Sequence, residues 1–255
     1  MTVSAQDRGL LLGDGLFETL LWDGAGLHDL EAHADRLRRG CAVIGLPAPE
    51  AGRLETAAAD AVAGRAGERL AVRLTWTAGA GGRGLDRPEG IAPTLLADAS
   101  PATKPAGPAV LVTASARRNA GSPASRVKAL SRLDHVLARA EARAAGADEA
   151  VQLNTDGHVA GAAAANLFWI EAGRLRTPGP ECGVLDGVMR ARVLAAAERL
   201  GAPVEVGAFG AESLARAEAA FLTNSLIGVR PVSRLDGQAL ASSRLVDELA
   251  AAVSC

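Results

Sequence analysis

The chain has 255 residues, 49% of them apolar, enough to bury one large core or two smaller ones, and two are expected. Its 27 basic and 29 acidic residues leave a formal charge of -2, which gives no basic field for nucleic acid and no acidic tail, so a small-molecule substrate is the expected partner. No stretch reaches the roughly 18 apolar residues of a membrane span. The opening MTVSAQDRG has no basic segment leading into an apolar run, and Cys41, Cys182 and Cys255 are odd in number and far apart, so a reducing, cytoplasmic location is expected.

From the N-terminus, the first expected element is a strand over residues 16–22, followed by a helix over about 29–43 on which Leu30, Leu37, Cys41 and Ile44 recur at helical spacing. A second helix is expected over 53–63. Alternation of Leu70, Val72, Leu74 and Trp76 with Ala71, Arg73 and Thr75 predicts a half-buried strand, and the glycine-dense AGAGGRG at 78–84 follows it. The polar stretch RRNAGSPAS reads as an interdomain linker over 117–125, between an N-terminal α/β domain at 1–116 and a C-terminal domain at 126–255. Beyond it, Ser131 is expected to cap a helix running to about 145, with Asp134 completing a partial capping box and Gly146 as the stop. Asp156-Gly157 and Asp236-Gly237 mark tight turns, and a helix is expected over 188–200, directly after Gly187. His28, His33, His135 and His158 are scattered and suggest no metal site.

Of the 27 basic residues only Lys104 and Lys128 are lysine. Lys104 lies in TKPAGP, which reads as an exposed connection, whereas Lys128 lies in RVKALSRL among apolar residues. Arginine supplies charge but does not deprotonate to form a Schiff base, as a desolvated lysine does, so Lys128 is the candidate covalent catalyst.

The segments DRGLLLGDGLFETL, HADRL, GGRG, KALSRLDHVLARAEARAAGADEA, ANLFW, GVLDGVMR and FLTNSLIGVRPV occur in this order, and together they resemble the class IV aminotransferase family, the fold type IV pyridoxal phosphate enzymes. The resemblance implies a two-domain α/β (α+β) fold with a pseudo-barrel second domain, a cofactor site at the domain interface, and a homodimer. It implies that Lys128 carries the pyridoxal 5'-phosphate and that Arg36 of HADRL contacts its phosphate. Gly187, Val188 and Met189 open a helix whose backbone N–H groups suit an anion, and Asn224 and Ser225 match a further phosphate contact. Phe17 and Thr19 of GLFETL fall at substrate-facing positions. GGRG, ANLFW and TNSLxGVxPV are similar to the lyase branch that cleaves 4-amino-4-deoxychorismate to 4-aminobenzoate and pyruvate for folate biosynthesis. Arg83 would then grip a substrate carboxylate, for which a planar two-pronged guanidinium is suited.

The chain departs from the family at three points. The match starts late, without the usual opening strand, and there is no tyrosine. In the third departure, GHVAGAAAANLF places Gly161 where the family's pattern has the Glu that pairs with the pyridine nitrogen. No other acidic residue lies in that segment, and restoring Glu there is expected to speed turnover. A transaminase acting on D- or branched-chain amino acids is the second expectation. The third is a weakly active or non-catalytic relative that keeps the fold as a binding or assembly protein.

Overall fold

The structure, a computed structural model, describes residues 3–254, so Cys255 lies outside the described residues. The chain forms two units: residues 1–104 with 127–131, and residues 105–126 with 132–255.

The first unit opens with the short helix α1 (Arg8–Leu12), whose start is capped by Asp7 accepting from the Gly9 N–H. Strand β1 (Gly15–Trp22), helices α2 (Leu30–Ile44) and α3 (Arg53–Ala61), and strands β2 (Leu70–Thr77) and β3 (Thr94–Pro101) follow. The three strands form an antiparallel sheet in the order β1-β2-β3, with Gly15 opposite Thr77 and Leu70 opposite Pro101. Period-two alternation turns Leu16 and Leu20 of β1 and Val72, Leu74 and Trp76 of β2 into one core. On the helices, Leu37 and Cys41 of α2 and Leu54 and Ala58 of α3 complete it at helical spacing.

The second unit contains β4 (Ala109–Thr113), α4 (Pro123–Arg126), α5 (Leu133–Ala144), β5 (Glu149–Leu153), β6 (Val159–Ala162), β7 (Asn166–Glu171) and β8 (Arg174–Pro178). It continues with α6 (Val188–Arg199), β9 (Val204–Gly207), α7 (Ala211–Ala215), β10 (Ala219–Asn224), β11 (Gly228–Leu235), β12 (Gln238–Ala239) and α8 (Arg244–Ala252). Its nine strands form one mixed sheet in the order β6-β5-β4-β11-β10-β7-β8-β9, with β12 on β11. Every residue of β7 is buried because both faces of the sheet are covered. Leu167, Trp169 and Leu222 pack on one face; Phe168, Ile170 and Phe221 pack on the other with Met189 and Val193 of α6 and Val246 and Leu249 of α8. No helix among the described residues is long and apolar enough to cross a membrane.

Two expectations are corrected. The stretch 117–125 lies within the second unit rather than between the two: Arg118 and Ala120 are buried, and the Arg118 backbone bonds Leu153 and Thr155. The Arg118 guanidinium faces inward to the carbonyls of Ala160 and Ala162, which composition does not reveal, while most of the other residues of the stretch stay exposed. The chain instead enters the second unit at Pro105, just before β4, and returns to the first unit for 127–131. Ser131 does not cap α5, because Arg132 is at the N-cap with no side-chain bond. The residues before it are held by strand-like pairing along β1, where Leu130 N–H donates to the Gly15 carbonyl.

Candidate active site

Within the first unit, residues 127–131 lie on the free edge of β1. The Phe17 N–H donates to the Lys128 carbonyl at 2.9 Å, and Leu16 bridges Ala129. Val127 and Ala129 are buried in the core, so alternation turns Lys128 to the opposite face. Phe17 and Thr19, half-buried between Leu16, Glu18 and Leu20, share that face, and Lys128 Nζ stands 4.4 Å from the Phe17 ring centre. Arg73 of β2, which pairs with Thr19, covers the same ring at 3.8 Å. The sequence reading singled out neither Arg73 nor its contact, since a charged residue in an alternating strand reads as a solvated face.

Arg36 is not a solvated charge. Its Nε donates to Glu18 Oε1 at 2.9 Å and its Nη2 to Oε2 at 2.5 Å, while His33 Nδ1 lies 2.7 Å from Oε2. His33 and Arg36 share one face of α2 because they are three residues apart, and Glu18 faces them from the core side of β1. Burial works to raise the Glu18 carboxyl, but the hydrogen bonds from His33 and Arg36 outweigh it and bring its pKa down to about 2. Sequence reasoning missed this triad. The available signal was a glutamate at a core-facing position of an apolar strand.

The glycine-rich loop is a built structure. Arg8, buried at 4% exposure, donates from Nη1 to the Asp86 carbonyl and from Nη2 to the Leu85 carbonyl, each at 2.9 Å, with longer contacts to Gly81 and Gly84. Its Nε pairs with Asp14 at 2.9 Å, and Arg87 closes on the same carboxylate at 2.6 Å. The hydrogen bond from Arg87, ahead of that from Arg8, holds the Asp14 carboxyl below its usual range against the effect of burial. Arg83 sits exposed at the tip of this loop.

In the second unit, α6 starts after Gly187 with no side-chain cap, which leaves the first-turn N–H groups of Val188 and Met189 for an anion. A Cβ at Gly187 would lie 2.0 Å from Asn166 Oδ1, so only glycine fits this approach. Asn224 Oδ1 accepts from the Leu226 and Ile227 N–H groups at 2.9 and 3.0 Å, and its Nδ2 donates to the Ala164 carbonyl at 3.0 Å. The Asn224 side chain therefore shapes the turn that begins at Ser225. Gly161 lies in β6 opposite Gln152 with φ of 107°, a conformation that strains any residue with a Cβ.

The family model for amino-transferase class IV matches residues 15–235. The chain is 30% identical over 232 residues to an aminodeoxychorismate lyase of Vibrio harveyi, covering 89% of this chain and 85% of that protein. It is 31% identical over 250 residues to a putative branched-chain-amino-acid aminotransferase of Methanocaldococcus jannaschii, covering 93% and 84% respectively. Its fold is similar to the crystal structure of 4-amino-4-deoxychorismate lyase from Pseudomonas aeruginosa, with a TM-score of 0.87 and 32% identity over 98% of this chain and 93% of that one. With the match spanning nearly all of both units, the chain belongs to the class IV aminotransferase family of pyridoxal phosphate enzymes.

Proposed function

We propose that this enzyme is a cytoplasmic lyase that releases pyruvate from 4-amino-4-deoxychorismate and leaves 4-aminobenzoate. The observation that carries the choice is the loop fastened by Arg8, on which Arg83 is exposed and would be free to meet a substrate carboxylate. The identity to lyases of Vibrio harveyi and Pseudomonas aeruginosa supports it.

The residues fit the cofactor at two points and depart at a third. Lys128 is the primary amine that would hold it, next to Phe17. The uncapped start of α6 at Gly187, Val188 and Met189 would hold its phosphate, with Arg36 and the turn at Asn224 and Ser225 assigned to the same group. At residue 161 glycine offers no carboxylate to a ring nitrogen, so no step depends on one. When bound, pyridoxal phosphate supplies an electron sink for the pair left as a substrate proton departs. Lys128 Nζ would take that proton from the ring carbon and deliver it to the methylene carbon of the enolpyruvyl group as its C–O bond to the ring breaks, which frees pyruvate and leaves the ring aromatic; Arg83 would orient the substrate carboxylate, and Phe17 and Thr19 line the face beside Lys128. Neither step calls for a keto-acid acceptor, which separates this reading from transamination.

Incubation with 4-amino-4-deoxychorismate is expected to yield pyruvate without an added amino acceptor. Brisk transamination of D-alanine or a branched-chain amino acid with no pyruvate release would reverse the reading in favour of a transaminase, which the Methanocaldococcus jannaschii relative supports. No turnover of either substrate by cofactor-loaded protein would favour a non-catalytic relative. A homodimer belongs to the same proposal, supported by apolar side chains that the single chain leaves in water: Leu10 and Leu11 on α1, and Leu133 and Val136 on α5, each at least 59% exposed.

A further inference from the structure

Glu18 has no assigned part in the reaction described above, yet it is a charged group 1% exposed in the middle of β1, opposite Leu74 of β2. Three donors fall on its two oxygens. Arg36 Nε meets Oε1 at 2.9 Å, Arg36 Nη2 meets Oε2 at 2.5 Å, and His33 Nδ1 meets Oε2 at 2.7 Å. With a pKa of about 2 the carboxylate is ionised at neutral pH and only accepts, so Nδ1 is the protonated nitrogen of His33 in this contact. His33 is itself 1% exposed, so it reaches Glu18 from inside the fold rather than from its surface.

Stability alone does not account for such a group. Leu16, Leu20 and Leu37 around it are apolar, and well-packed apolar residues in place of a buried ion pair are often as stable or more so. What the ion pair adds is direction. Nε and Nη2 form one edge of the Arg36 guanidinium, and that edge lies across both Glu18 oxygens, which fixes the plane of the fork. The Arg36 side chain is 10% exposed against 1% for Glu18, so the carboxylate holds the guanidinium from the inner side. Nη1 lies outside the pair. Because the carboxylate offsets the guanidinium charge, Arg36 addresses an anion by an aimed N–H more than by net charge.

We propose that Glu18 is a positioning residue for the phosphate of the cofactor: it holds Arg36 by Nε and Nη2 so that Nη1 donates to a phosphate oxygen, and His33 holds Glu18 in turn. This role rests on the reading of Arg36 as a phosphate contact. Glutamine at residue 18 accepts with one oxygen only and turns an NH2 toward another donor, so the guanidinium loses its fixed plane. Lysine at residue 36 brings a point charge that cannot span both carboxylate oxygens and also reach a phosphate.

The test compares two ligands, pyridoxal phosphate and pyridoxal, which lacks the phosphate. Each is titrated by absorbance into full-length protein after the resident cofactor is removed. Glu18→Gln and Arg36→Lys are each expected to weaken pyridoxal phosphate binding about tenfold and to leave pyridoxal binding unchanged. Equal weakening for both ligands in Glu18→Gln would mean that Glu18 only supports the fold, which overturns the proposal. Loss of phosphate selectivity in Arg36→Lys but not in Glu18→Gln overturns the proposal and leaves the phosphate contact standing. Selectivity kept in Arg36→Lys overturns the phosphate contact itself, and the positioning role with it. Should Glu18→Gln not fold, a crystal structure of the unaltered, cofactor-loaded protein decides the matter. Nε and Nη2 are expected on Glu18 with Nη1 on a phosphate oxygen, and an Arg36 turned away from Glu18, or with no nitrogen on the phosphate, overturns the proposal.

Discussion

At the scale of single residues, Lys128 is singled out twice, by being one of only two lysines and by standing over Phe17 between two core residues. Borohydride reduction of cofactor-loaded protein followed by peptide mapping is expected to label Lys128; label on the exposed Lys104 would remove it from its role. Glu18 makes a prediction about acid stability. Its pKa in the folded protein, about 2, lies below the ordinary 4.5, so its contribution is fully present above pH 4.5 and is lost as the pH falls toward 2. That contribution is about 3 kcal/mol, and Glu18→Gln should flatten the fall in stability across this window in denaturant titrations. Arg36→Ala would leave this buried carboxylate with His33 as its remaining partner, at a cost of about 1–3 kcal/mol. Arg36→Lys, with cofactor affinity measured on folded protein, is therefore the sounder probe of a phosphate contact. At Gly161 the structure tempers the expectation that glutamate would speed turnover. With φ at 107°, Gly161→Glu should destabilise by about 1–3 kcal/mol, visible as a lower Tm whatever its effect on rate.

At the scale of elements, the glycine-rich loop is held by Arg8 rather than by its own sequence. Arg8→Met removes the donors to four loop carbonyls and the partner of Asp14 while keeping an unbranched, buried side chain. The loop should then open more often, so trypsin cleavage after Arg83 should accelerate several-fold relative to cleavage elsewhere, and KM should rise more than kcat falls. Unchanged cleavage at Arg83 would show that the loop is rigid without Arg8. Arg83→Ala tests the substrate contact separately, since it leaves the fastening intact. Helix α2 illustrates a related economy, because one face carries Leu37 and Cys41 into the core while His33 and Arg36 reach Glu18.

At the scale of the whole molecule, the exposed leucines of α1 predict that the chain self-associates. Leu11→Glu should shift sedimentation toward the monomer without loss of helical signal, and an unchanged species would remove α1 from any interface. The sequence by itself determined the elements that carry periodic signals: the strand before Trp22, the helices starting near Leu30 and Val188, the Asp156-Gly157 turn and the family. Those signals are local, since side-chain alternation, helical spacing and turn chemistry act within a few residues. Tertiary structure alone decided that Glu18 binds Arg36 across 18 positions, that Arg8 fastens a loop more than 70 residues away, and that Arg118 of the stretch 117–125 is buried within the second unit. It also decided that residues 127–131 join the first unit and turn Lys128 toward Phe17. Polar side chains look alike in sequence whether they face water or a buried carbonyl, and only the fold selects the partner that offsets their desolvation.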